Sequence, residues 1–287
     1  MRTSGFIGYM KLELEESRHM RFCDTHAHYD DEAFDADRTR LLGGGLHDEG
    51  VEFVVNMGAS LEGAERSAEL ARRYEEVYAG CGIHPDEVGI FGEEGSSQAL
   101  SVMARLHGLL EQPKVVCVGE IGLDYHWMVQ PKEIQRKWFA AQLHLAAELN
   151  LPINVHSREA AQDTFDVIVK HHTRAGRTLS GGIIHCYSGS VEMARAYVKL
   201  GYHIGVGGVV TFKNARVLKE VVQTLPLESL VTETDCPYMA PEPVRGTRND
   251  SRNIRYVIAK IAALRGMDEE ACATALLKNA KEVYRLG

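Results

Sequence analysis

Arg21–Phe22–Cys23–Asp24–Thr25–His26–Ala27–His28 is a short apolar run that turns polar at its C-terminal end. In a β-strand, residues i and i+2 face the same way, so His26 and His28 project together from the strand end. Two neighbouring imidazoles make half a metal site. A strand fixes the spacing that chelation needs, and neutral imidazole suits first-row divalent metals.

Outward from this strand one rhythm repeats: a short β-branched run, a polar or Gly-rich break, then a stretch of helical periodicity. The strand candidates are Phe22–His26, Glu52–Met57, Val77–Ile83, Val115–Ile121, Ile153–His156, Gly182–Cys186, Tyr202–Val206 and Leu230–Glu233. Helix candidates between them are Ala36–Glu49, Leu61–Glu75, Gln98–Glu111, Lys132–Leu149, Arg158–Arg174, Val191–Leu200 and Asn214–Leu225, with Ser251–Arg265 and Asp268–Leu286 after the last strand. Strict β-then-α alternation gives a parallel sheet, and eight units favour its closure into a single-domain (β/α)8 TIM-type barrel. An open nucleotide-binding sheet would carry a phosphate loop. Gly43–Gly44–Gly45 falls inside a helix candidate, and Gly205–Val206–Gly207–Gly208 lacks the third fingerprint glycine and its acidic partner. Residues 87–98 read as one exposed loop.

The barrel domain is placed at residues 21–287. Residues 1–20 are expected to be an extension or tag outside the fold, since they lack the long apolar region and small-residue cleavage site of a secretory signal. The 287-residue chain is 45% hydrophobic, enough for a large core, and no run approaches the ~18 to 20 apolar residues of a membrane span. A soluble protein is expected. Its formal charge of −8 disfavours sequence-independent binding along a duplex, while leaving room for a local grip on one strand end. The six cysteines form no C-x-x-C pair, and five lie in or just after strand candidates, as small buried hydrophobes of a reducing, cytoplasmic compartment do.

The thirteen histidines are not scattered at random. His47, His107, His144, His171 and His172 fall in helix candidates and read as surface or packing residues. His26, His28, His84, His156 and His185 fall at C-terminal strand ends, together with Glu120 and Asp235. In a barrel those ends converge on one face. Four imidazoles and two carboxylates exceed the ligands of one catalytic metal and suit two, ~3.5 to 4 Å apart and bridged by a carboxylate. After the last strand, Arg245 and Arg248 can overhang the same mouth and grip phosphate, whereas Arg252 and Arg255 lie in the helix and pair with acids.

Asp24–Thr25–His26–Ala27–His28, Gly82–Ile83–His84–Pro85, Gly119–Glu120–Ile121–Gly122–Leu123–Asp124–Tyr125 and Leu151–Pro152–Ile153–Asn154–Val155–His156–Ser157–Arg158 resemble successive signatures of the TatD family of metal-dependent hydrolases. Ile184–His185–Cys186–Tyr187–Ser188–Gly189, Thr234–Asp235–Cys236–Pro237–Tyr238 and Arg245–Gly246–Thr247–Arg248–Asn249 continue the match in order. The resemblance implies an amidohydrolase-like barrel over residues 21–287. It further implies that His26, His28 and Asp235 hold one metal, His156 and His185 the other, and Glu120 bridges them. Asp235 is the candidate general base, and His84, Arg245, Arg248 and Tyr125 would touch substrate. Thr247 and Asp250 depart from the family's frequent Lys and Glu.

The expectation is therefore a deoxyribonuclease cleaving phosphodiester bonds, 3′ to 5′ on single-stranded DNA, with a water activated by two divalent ions, Mg, Mn or Zn. It would act as a monomer or weak homo-oligomer. One rival is a hydrolase of carboxylic ester or amide bonds, such as an aminoacyl-tRNA deacylase. A second is a non-catalytic metal-bound partner module.

Overall fold

The computed structural model describes residues 20–91, 95–174 and 176–287. The expected extension, residues 1–20, lies outside the described residues except for Met20. Eight strands form one sheet whose spatial order is the chain order: β1 (Phe22–Ala27), β2 (Val51–Gly58), β3 (Val77–Cys81), β4 (Val115–Asp124), β5 (Ile153–Arg158), β6 (Gly182–Ile184), β7 (Tyr202–Val206) and β8 (Leu230–Thr232). Every neighbouring pair in that order is parallel.

The remaining seam, β8 to β1, closes with few bonds. Asp235 N donates to His26 O at 3.0 Å and His28 N to Cys236 O at 2.9 Å, bracketing a parallel bridge between Ala27 and Cys236. Side chains stitch the rest: Thr25 Oγ1 donates to Thr232 O (3.0 Å), and the buried Asp24 accepts from Thr234 N (3.0 Å), Thr234 Oγ1 (2.5 Å) and Ser251 Oγ (2.7 Å). The barrel is thus closed by the segments that carry His26, His28 and Asp235.

Eight helices of nine residues or more are found among the described residues: α1 (Leu61–Arg73), α2 (Ser97–Leu110), α3 (Lys132–Leu149), α4 (Ala161–His171), α5 (Val191–Lys199), α6 (Arg216–Thr224), α7 (Ile254–Arg265) and α8 (Glu269–Tyr284). Ser60, Ser96, Ser190 and Asp268 start α1, α2, α5 and α8 by accepting a backbone N–H three residues on, each worth about 1 kcal/mol. Two cores result. The larger lies between sheet and helices, while Phe53, Val55, Met57, Cys117, Ile183 and Val231 fill a smaller one with Ala280 and Tyr284 of α8. Phe53, Val55 and Met57 recur at the strand period of two, so this second core is the barrel interior and α8 plugs it.

The structure corrects three expectations. Ala36–Glu49 is not one helix but three short turns, because Gly43 and Gly44 leave helical geometry, Gly44 at φ +120°, where a side chain would be strained. Residues 87–98 are not wholly an exposed loop: Val88 is buried in the core, and α2 begins at Ser97. Arg158 ends β5 and does not begin a helix. All six cysteines are unpaired, and among the described residues no helix is long and apolar enough to cross a membrane.

Candidate metal centre

Glu120, near the middle of the long strand β4, divides the site in two. Its Oε2 lies 3.5 Å from His26 Nε2 and 3.8 Å from His28 Nε2. Its Oε1 lies 3.1 Å from His156 Nδ1 and 3.8 Å from His185 Nε2. Asp235 Oδ1 stands opposite, 3.4 Å from His28, 3.7 Å from His26 and 3.7 Å from His185. Six side chains from five strands therefore converge, one carboxylate facing two imidazole pairs.

The outward nitrogens settle what the inward ones offer. His28 Nδ1 lies 2.9 Å from Met57 O, a carbonyl that can only accept, so this nitrogen carries the proton. Tyr284 donates its hydroxyl to Thr25 O and accepts from Asn154 Nδ2, which turns Asn154 Oδ1 towards His26 Nδ1 at 2.9 Å. His26 is thereby protonated at Nδ1 as well. With Nδ1 protonated on both rings, the two Nε2 atoms face each other across 3.1 Å and must share a cation, either a metal ion or a proton. His185 Nε2 also faces the centre, while its Nδ1 lies 3.1 Å from Glu233 Oε2 without the alignment of a hydrogen bond. The donor set fits divalent metal.

The electrostatics say the same. Burial pushes the Glu120 carboxyl up, but His26, His156 and His84 outweigh it and hold it well below the ordinary range. Asp235 is also lowered: burial raises it, and His28, His185 and His26 overcome that. Burial lowers His28, yet Asp235 and Glu120 bring it up to about 10; burial lowers His156, yet Asp124 and Glu120 bring it up to about 9. Without metal, protons supply the positive charge that the two carboxylates demand.

A family model described as TatD related DNase matches residues 23–285. The chain belongs to the TatD family. It is 39% identical over 263 residues to the uncharacterized metal-dependent hydrolase YabD of Bacillus subtilis, covering 92% of this chain and 98% of that one. Over 274 residues it is 35% identical to the uncharacterized metal-dependent hydrolase TatD of Mycobacterium tuberculosis, covering 92% and 98% of the two chains. The crystal structure of YJJV, a TatD homolog from Escherichia coli, matches with a TM-score of 0.81 at 33% identity, over 93% of this chain and 99% of that one.

In this TatD-family barrel a cleft of about 600 Å³ opens over the centre. His84 lines it, edge-on to His156 with ring centroids 4.4 Å apart, and burial followed by the charge of His156 holds its imidazole down to about 4. The other three residues expected to touch substrate do not line this cleft. Tyr125 donates its hydroxyl to Asp163 (2.7 Å) and accepts from Arg136 (3.0 Å). Arg248 holds Asp37 through two bonds of 2.7 and 2.8 Å and donates to Ala33 O at 2.8 Å. Arg245 lies over Phe212, 4.3 Å from the ring centroid, near Glu242. Arg252 pairs with Asp250 at 2.8 Å and Arg255 with Glu49 at 3.1 Å, both with acids as expected.

Other functional residues went unread in the sequence. Asp124 Oδ2 lies 3.0 Å from His156 Nε2, Glu233 backs His185, and Arg158 lines the cleft. A signal for two of them was available. Asp124 shares strand β4 with Glu120, and Arg158 shares β5 with His156, both at even spacing, which puts each pair on one face; Glu233 lies past the end of β8 and has no such signal. Gly205 serves Glu233: a Cβ there would come within 2.5 Å of the Glu233 carboxylate.

Proposed function

We propose that the protein hydrolyses phosphodiester bonds, removing nucleotides from the 3′ end of single-stranded DNA with two divalent ions held by the six converging side chains. It is a metal-dependent hydrolase of the TatD type. The observation that carries the phosphodiester reading is Arg158, whose guanidinium lines the cleft and makes no ion pair among the described residues. An unspent guanidinium beside a polynuclear site suits an anionic phosphate, which it binds through parallel N–H donors.

Bound Mg, Mn or Zn would lower the pKa of the attacking water and offset charge on the phosphate oxygens. Asp235, kept ionised by its imidazole neighbours, takes the water's proton. Glu120 and the four histidines hold the two halves of the site in register, and Arg158 steadies the phosphate while the P–O3′ bond breaks. The same centre would serve a carboxylic ester or amide, and Arg158 is what favours phosphate. The ionised Asp235, poised against three imidazoles, speaks against a non-catalytic module. Six unpaired cysteines support a reducing, cytoplasmic location.

The test is nucleotide release from end-labelled single-stranded DNA by metal-stripped protein, repopulated separately with magnesium, manganese and zinc. Stepwise 3′ loss that needs metal and falls about 10²- to 10⁴-fold in Asp235→Asn is expected. No release by metal-loaded protein, with turnover of a carboxylic ester instead, would overturn the reading.

A further inference from the structure

The loop after β4 carries three consecutive exposed apolar residues, Trp127 (62%), Met128 (42%) and Val129 (56%), the first of which lines the cleft. Exposed apolar surface beside a polar site marks contact with a ligand. The loop is not free to hide it. Asp124 Oδ1 accepts from both His126 N and Trp127 N at 2.9 Å, while its other oxygen holds His156. One carboxylate thus couples the position of the indole to that of a candidate metal-binding imidazole.

Trp127 and Tyr238 line the main cleft and also an adjoining space of about 500 Å³ that reaches His28, Ser60 and Arg66. Glu120 and His84 line both as well, so the mouth is a two-lobed trough with the metal centre on its floor. Arg158 lies over the Trp127 ring with Cζ 5.3 Å from its centroid, so the cation sits against one face of the indole and a base would have to stack on the other. A nucleotide presents the complement, a flat base joined to a phosphate.

We propose that Trp127 is the platform on which a nucleobase beside the scissile phosphate stacks, with Arg158 taking the phosphate, so that the trough selects a nucleotide strand over a bare phosphodiester. This rests on the hydrolytic reading above. One lobe holds the terminal nucleotide and the other the strand that continues from it. Because Asp124 fixes the Trp127 backbone, little ordering remains to be done on binding.

The chain has two tryptophans, and Trp138 is only 4% exposed, so fluorescence changes on binding report Trp127. Asp235→Asn protein loaded with magnesium is titrated with an oligothymidylate and with an abasic strand of equal length. Quenching by thymidylate beyond that by the abasic strand is expected. In otherwise wild-type protein, Trp127→Ala should lower the ratio of kcat/KM on thymidylate to that on the abasic strand about 5- to 150-fold, and Trp127→Phe should restore most of it. Thymidylate cleavage with equal quenching by both strands, or a ratio unmoved in Trp127→Ala, would overturn the platform. Base-dependent quenching in a protein that cleaves neither strand would support the platform while overturning the hydrolytic reading.

Discussion

The floor of the trough and its rim are built on different terms. On the floor, His26, Glu120 and His156 sit on strands, and His28, His185 and Asp235 lie within two or three residues of strand ends, where ladder hydrogen bonds fix the backbone. On the rim, Arg245 and Arg248 instead lie more than ten residues past the end of β8, and each is engaged by a neighbour from elsewhere, Phe212 and Asp37. The contrast teaches that short reach from a strand end makes a side chain's direction legible. A long cationic side chain on a loop goes instead to whichever partner the fold brings near.

The largest effect expected from breaking this contrast is on the floor. Glu120→Gln keeps the shape but removes the charge shared by both imidazole pairs, so hydrolysis should fall on the order of 10³-fold. Bound metal measured by elemental analysis should fall with it, and circular dichroism should show the fold retained. Activity within tenfold of wild type would mean that the floor is not the reacting site. On the rim, Arg158→Ala should raise KM about 10- to 100-fold, since hydrogen bonds to charged groups contribute about 1.5–3 kcal/mol. Arg248→Ala should change KM less than about threefold and lower stability by about 0.5–1 kcal/mol, the size of a part-exposed ion pair. If Arg248→Ala proves the more damaging, Arg248 leaves Asp37 to close over substrate.

A further expected effect concerns pH. In metal-free protein, His28 at about 10 and His156 at about 9 lie above the usual imidazole value of about 6.5. A raised pKa contributes stability that is fully present below the unfolded value and lost as pH rises through the folded one. The melting temperature of the stripped protein should therefore decline between about pH 6.5 and 10, and metal should flatten that decline by replacing the protons. An equally steep decline with and without metal would show that the metal does not sit among these imidazoles.

The repeating pattern of short apolar runs and helical stretches was enough for the eight strands and their parallel closure, and the polar residues at the strand ends brought out the six converging donors together with His84, because local periodicity survives folding. The sequence also contained Asp124 and Arg158 at even spacing from Glu120 and His156; they were missed because β4 and β5 run two or three residues past their expected ends. Only the tertiary structure decided the fate of the arginines. Arg248 meets Asp37 across 211 residues of chain, whereas Arg158 meets an indole and, among the described residues, no acid. No periodicity encodes such a meeting, since it depends on which loops a closed barrel sets side by side.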